Sequence, residues 1–116
     1  MIQVKVERDE HKQLRSVRIS GHADSGPYGY DLVCAGVSAV TFGAVNAIEE
    51  LCQVELDIEQ AEDGGYLHCS VPDSFRTQPN EHVYVLLEGM ISSLKTIEAS
   101  YSEHIQVNDQ GGGWRA

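Results

Sequence analysis

Positive charge is scarce in this chain. Eight Lys and Arg stand against 18 Asp and Glu over 116 residues, a formal net charge of −10. A field of that sign repels phosphate backbones and anionic lipid, and it attracts basic partners. Nucleic-acid binding needs a local basic stripe. The longest basic cluster is Lys12, Arg15 and Arg18, scattered along one strand-like stretch, so no direct nucleic-acid binding is expected. Cysteine is sparse too. Cys34, Cys52 and Cys69 are odd in number and no pair has CxxC spacing, which favours free thiols and a reducing cytoplasm. No apolar run reads as long enough to span a bilayer, and no membrane association is expected. The N-terminus Met1-Ile2-Gln3-Val4-Lys5 lacks the apolar core of a secretion signal.

The hydropathy pattern supplies the elements. Ile2, Val4 and Val6 alternate with polar residues, and Leu14 to Gly21 forms a second strand with Val17 and Ile19 inward, so the two make a hairpin around Asp9-Glu10-His11-Lys12. Asp31 reads as an N-cap for a helix from Leu32 to about Cys52, with Val33, Val37, Val40, Ala44, Ile48 and Leu51 at helical spacing. That helix is rich in small residues, including Gly36 and Gly43, which predicts close approach of a neighbouring element. A buried central helix is the first reading and a subunit interface the second. Val54, Leu56 and Ile58 give a third strand, Glu62-Asp63-Gly64-Gly65 a turn, and Tyr66 to Val71 a fourth strand. Asn80 caps a second helix carrying Val83, Leu87, Met90, Leu94, Ile97 and Tyr101. Ile105 and Val107 suggest a last strand.

The expected fold is α/β of the α+β type, β-β-α-β-β-α-β, an antiparallel or mixed sheet with two packed helices. Residues 1–110 read as one domain and 111–116 as a flexible tail opened by Gly111-Gly112-Gly113.

Chemistry concentrates between Gly21 and Ser38. His22 opens a loop punctuated by Gly21, Gly26 and Gly29, and Cys34 falls in the first turn of the expected helix. Unpaired amides at a helix start favour an anion, and the thiolate is the nucleophilic form of cysteine. Imidazole titrates near neutrality and can take the thiol proton. Asp31 either caps the helix or orients His22. Ser38 lies one turn after Cys34, where it bonds near the site or back to a helix carbonyl. The glycines allow a mobile flap, or simply a solvated connector. Asp24 with Asp31 and Cys34 matches no familiar zinc spacing, so neither metal nor cofactor is expected. Cys52 and Cys69 sit on expected core faces.

The string Gly21-His22-Ala23, Gly29, Asp31, Val33-Cys34-Ala35 and Ser38 resembles the signature of the Prp family of ribosomal-processing cysteine proteases. Glu62-Asp63-Gly64-Gly65-Tyr66 resembles that family's central hairpin, and the likeness runs from Ile2 to Val107. The resemblance implies a cysteine endopeptidase that removes an N-terminal extension from large-subunit ribosomal protein number twenty-seven. It implies Cys34 as nucleophile, His22 as base, and supporting positions at Asp31 and Ser38. It further implies a homodimer and a mobile loop between the pair, here containing Pro27, Tyr28 and Tyr30. The competing reading is a non-catalytic ribosome-associated binding protein.

Overall fold

The computed structural model describes residues 1–21, 27–61, 65–76 and 80–109, with the backbone alone at 27–31 and 76. Strands β1 (Ile2–Arg8) and β2 (Leu14–Ser20) precede helix α1 (Pro27–Cys52). Strands β3 (Asp57–Gln60) and β4 (Tyr66–Ser70), a short 3₁₀ turn (Asp73–Arg76), helix α2 (Glu81–Ser100) and strand β5 (Ile105–Asp109) follow. The sheet is mixed, in the order β3-β4-β2-β1-β5. Only β1 and β5 pair in parallel; the other three pairings are antiparallel.

Two crossovers organise the molecule. β2–α1–β3 steps over β4 in one direction, and β4–α2–β5 steps over β2 and β1 in the other. β2 and β4 are antiparallel, so two crossovers of the same right hand place both helices on one side of the sheet. Burial agrees. Ile2, Val4, Val6, Val17 and Cys69 share one core cluster with Val33, Val37 and Ile48 of α1 and Val83, Leu87, Met90, Ile91 and Leu94 of α2. The opposite sheet face is open, and Gln3, Lys5 and Glu7 of β1 are exposed there. Strand register aligns Lys5, Arg18 and His68 across that face, a basic row the sequence does not display. Glu59 lies opposite His68, and Glu7 stands 4.0 Å from Arg18, so the row is balanced by acids.

Helix α2 begins as expected. Asn80 Oδ1 accepts from the N–H groups of His82 at 3.0 Å and Val83 at 3.4 Å. Its stripe ends one residue early, for Tyr101 is the C-cap and is exposed.

Helix α1 departs from expectation at its start. It begins at Pro27, so Asp31 is its fifth residue and not its cap. Proline suits a first helical position, because its fixed φ fits and its missing N–H would have no partner there. Gly29, Tyr28 and Tyr30, expected in the loop, are therefore helical. Nor is α1 a buried central helix. Its stretch Leu32–Cys52 covers 21 residues at a mean hydropathy of 1.6, with 22% buried. By length and composition it is sufficient to cross a membrane, which corrects the reading that no apolar run is long enough. Leu51, expected in the core, is 73% exposed. The spacing rule counted it because its period is right, but the helix ends one residue later, at Cys52, with Leu51 in solvent. Cβ atoms added at Gly43 would meet nothing within 4 Å, and at Gly36 only Ile97 Cδ1 at 3.6 Å, so close approach within the chain does not explain the glycines. Strand β3 is also shorter than the alternation suggests: Val54 and Leu56 precede it, and Leu56 is buried in the connection.

At the far end of the sheet, Arg8 ties β1 to α2 and β5. Its Nη1 and Nη2 reach Glu88 at 2.6 and 2.8 Å. Its Nε and Nη2 reach Asp109 at 2.8 and 2.9 Å. Nη1 also donates to the Lys12 carbonyl at 3.0 Å, so all five guanidinium N–H groups are used. The Arg8 and Asp109 side chains are 3% and 4% exposed. Hydrogen bonding to Arg8, opposed by burial and aided by Lys95, holds the Asp109 carboxyl below the usual carboxylate range.

Removing the guanidinium deprives Glu88 and Asp109 of their shared counter-charge and leaves Asp109 with Lys95, 3.2 Å away. Arg8→Met should cost about 3–5 kcal/mol of stability by urea unfolding. The pH dependence has a definite sign. Asp109 has a lower pKa folded than unfolded, so its stabilisation is complete above the ordinary carboxyl pKa of about 4 and is lost as pH falls through the folded value. Asp109→Asn should be less stable at neutral pH and should show a shallower stability loss below about pH 4.

Candidate active site

The site end of the sheet is opposite the Arg8 cluster. Met1, Gly21, Gly65 and His104 gather there, joined by bonds from Gly21 N–H to the Gly65 carbonyl at 3.1 Å and from Ile2 N–H to the His104 carbonyl at 2.8 Å. Gly21 follows β2 directly, with φ +90°. A Cβ there would stand 2.5 Å from the Met1 carbonyl oxygen. His22 follows directly in the chain. His22, Asp24 and Gly26 lie outside the described residues, as does the Asp31 side chain. The loop expectations at those positions, and the tail at 110–116, lie outside them too.

Cys34 is the eighth residue of α1, not a member of its first turn. At 1.5 Å per residue it is about 10 Å along the axis from Pro27. Amides in the body of a helix are bonded to the carbonyl four residues back, so the argument from unpaired N–H groups does not apply to this sulfur. Its place around the axis is informative instead. With about 100° per residue, Asp31, Cys34 and Ser38 fall within about 60° of one another, on one stripe of α1. Val33, Val37, Thr41 and Ile48 form the buried arc beside it, while Leu32, Ala35, Ala39 and Phe42 form an exposed arc opposite. Cys34 is half-buried against the core at the border between the arcs, and Ser38 is exposed. The Thr41 hydroxyl, 2% exposed and without a hydrogen-bond partner among the described residues, is a residual cost in the buried arc.

The other thiols are placed differently. Cys69, on β4, is 3% exposed. Burial, then the negative charge of Asp57, pushes its pKa up to about 11, which leaves it protonated and inert at neutral pH. Cys52 is half-buried at the last residue of α1. Among the described residues, no three His, Cys, Asp or Glu side chains gather into a metal-binding group.

The family model for cysteine protease Prp matches residues 1–106. The chain belongs to the Prp cysteine protease family. A Bacillus subtilis relative, ribosomal processing cysteine protease Prp, is 43% identical over 107 residues, covering 92% of this chain and 96% of that protein. Solved structures agree. The Staphylococcus aureus Prp with a covalently linked product peptide matches at TM-score 0.83 and 41% identity, covering 93% of this chain and 98% of that one. Its complex with a substrate peptide matches at TM-score 0.82 and 40% identity over the same shares. Family membership makes this chain a cysteine protease, and Cys34 is the thiol that the resemblance points to. The sequence placed Ser38 one turn after Cys34 but took Asp31 as the cap; that Asp31 shares their stripe follows only from a helix that begins before it.

Cys34 and Cys69 should separate on alkylation. Iodoacetamide at about pH 8 should modify Cys34 in the folded chain and reach Cys69 only after denaturation. Peptide mass mapping after timed exposure checks this; equal labelling of Cys34 and Cys69 in the folded state contradicts it.

Proposed function

We propose that this chain is a cytoplasmic endopeptidase of ribosome maturation that removes the N-terminal extension of large-subunit ribosomal protein number twenty-seven, with Cys34 as nucleophile and His22 as base. The observation that carries the reading is the position of Cys34. Cys34 and Cys52 both lie where α1 turns from core to surface, about five turns apart, but of the three thiols only Cys34 stands within about one turn of Asp31 and Ser38, in a chain 41% identical to a protease whose structure holds a covalently linked product peptide. The name of the B. subtilis relative supports a ribosomal substrate. The net charge of −10 suits the basic composition expected of a ribosomal protein.

In this reading His22 takes the Cys34 proton and the sulfur attacks the scissile carbonyl. The oxyanion needs hydrogen-bond donors. The amides around Cys34 are committed to the helix, so those donors come from outside its body. The amine leaves with a proton from His22, water attacks the thioester, and the sulfur is released. Asp31 and Ser38 support the pair from the same stripe.

The exposed face of α1 offers a seat for the second copy implied by the resemblance. Leu32 is 58% and Phe42 40% exposed, with small exposed residues Ala35, Ala39 and Gly43 between and beside them. The helix has no Lys or Arg, unlike the basic faces of helices that lie on anionic membranes. An uncharged stripe is also where two copies of charge −10 repel least.

Incubation of the chain with a peptide spanning the extension, read by mass spectrometry, tests the activity. Cys34→Ala should lower cleavage by about 10³-fold or more with the fold intact; turnover at the wild-type rate refutes the assignment. Phe42→Glu should sediment as a monomer where the unaltered chain sediments as a dimer. A wild-type monomer, or an unaltered dimer in the variant, removes α1 as the interface.

A further inference from the structure

Gly21 was expected to be part of a flexible substrate loop. The structure gives it a fixed place instead. Its φ of +90° lies in the left-handed region, where an L side chain is strained. Its N–H donates to the Gly65 carbonyl at 3.1 Å, tying it to the start of β4. On its other side the Met1 carbonyl oxygen occupies the volume of a Cβ, 2.5 Å from where that atom would stand. The neighbouring register continues unbroken, with Ser20 paired to Gln3 and to Tyr66. Three constraints therefore converge on one residue: a dihedral, a hydrogen bond and a close backbone approach. A hinge needs freedom at its pivot, and this residue has little.

We propose that Gly21 is a positioning residue: a fixed left-handed kink, held between Met1 and Gly65, that sets the direction in which the chain leaves β2 toward His22. The inference rests on the reading of His22 and Cys34 as the catalytic pair. The direction of the chain at Gly21 is thereby set by the sheet. A hinge and a fixed kink both require glycine in nature, but they respond oppositely to a residue of inverted chirality. D-Ala accepts positive φ, narrows the conformations available, and carries its methyl group on the other side of Cα from the Met1 oxygen. Gly21 is exposed, which leaves room for that methyl group.

The test joins a synthetic 1–33 segment to an expressed segment beginning at Cys34, which provides the thiol needed for ligation. Full-length chains with Gly, L-Ala or D-Ala at position 21 are compared by thermal unfolding and by steady-state cleavage of the extension peptide, below the unfolding range of each. Gly21→Ala should lose about tenfold or more in kcat with KM within about twofold, since misplacement of a reacting group by an ångström is costly. The D-Ala chain should keep kcat within about twofold of the glycine chain. Wild-type kcat in folded Gly21→Ala overturns the proposal. So does a D-Ala chain that folds but is as slow as the L-Ala chain, the result expected of a hinge. If Gly21→Ala does not fold, the D-Ala chain decides alone, retention supporting the kink and loss opposing it. Cys34→Ala is assayed beside them: cleavage by that chain is failure of the catalytic assignment, a result independent of the Gly21 comparison.

Discussion

Two crossovers of one hand, leaving antiparallel strands in opposite directions, must place both helices on the same side of the sheet. The rest of the molecule follows from that constraint. One sheet face is covered and the other stays in water. The two helices run antiparallel, so the early part of α1 meets the late part of α2, as the approach of Gly36 to Ile97 shows. The junction between β2 and α1 then falls at the same end as the starts of β1, β4 and β5, and Cys34 belongs to that end.

The two ends of the sheet are held by different physics. At the end away from Cys34, a buried guanidinium is saturated by two carboxylates and a carbonyl. Such a cluster adds little net stability over a well-packed apolar one, yet it is unforgiving of partial loss. It therefore fixes where α2 and β5 sit relative to β1. At the Cys34 end, backbone bonds run from the Gly21 N–H to the Gly65 carbonyl and from the Ile2 N–H to the His104 carbonyl. Backbone contacts of this kind constrain the direction of the chain.

Much of this was legible in the sequence because period and burial coincide. The alternation of Ile2, Val4 and Val6 gave β1, and Asn80 gave the start of α2, since its side chain has no competing task there. The start of α1 was misread because Asp31 is a good cap by type. A capping residue signals a helix start only when no earlier start is available, and Pro27 supplies one four residues sooner. That shift moved Cys34 out of the first turn and removed the amide argument, while placing it on a shared stripe with Asp31 and Ser38. The Arg8 cluster could not have been seen, because its partners are 80 and 101 residues away in the chain. The fixed nature of Gly21 was hidden for a similar reason: the atom that forbids a side chain belongs to Met1.

The outer edge of β5 has a feature with a wider consequence. In the middle of that strand, the N–H of Val107 points away from β1 and is taken by Glu98 Oε2 of α2 at 2.6 Å. The opposite edge, β3, is four residues long and presents Asp57 and Glu59. An incoming strand finds a donor already engaged on one margin and short, acidic pairing on the other. Growth of the sheet into ribbons of many molecules is thereby discouraged on both sides, and the protein can be held at high concentration without its strands templating one another.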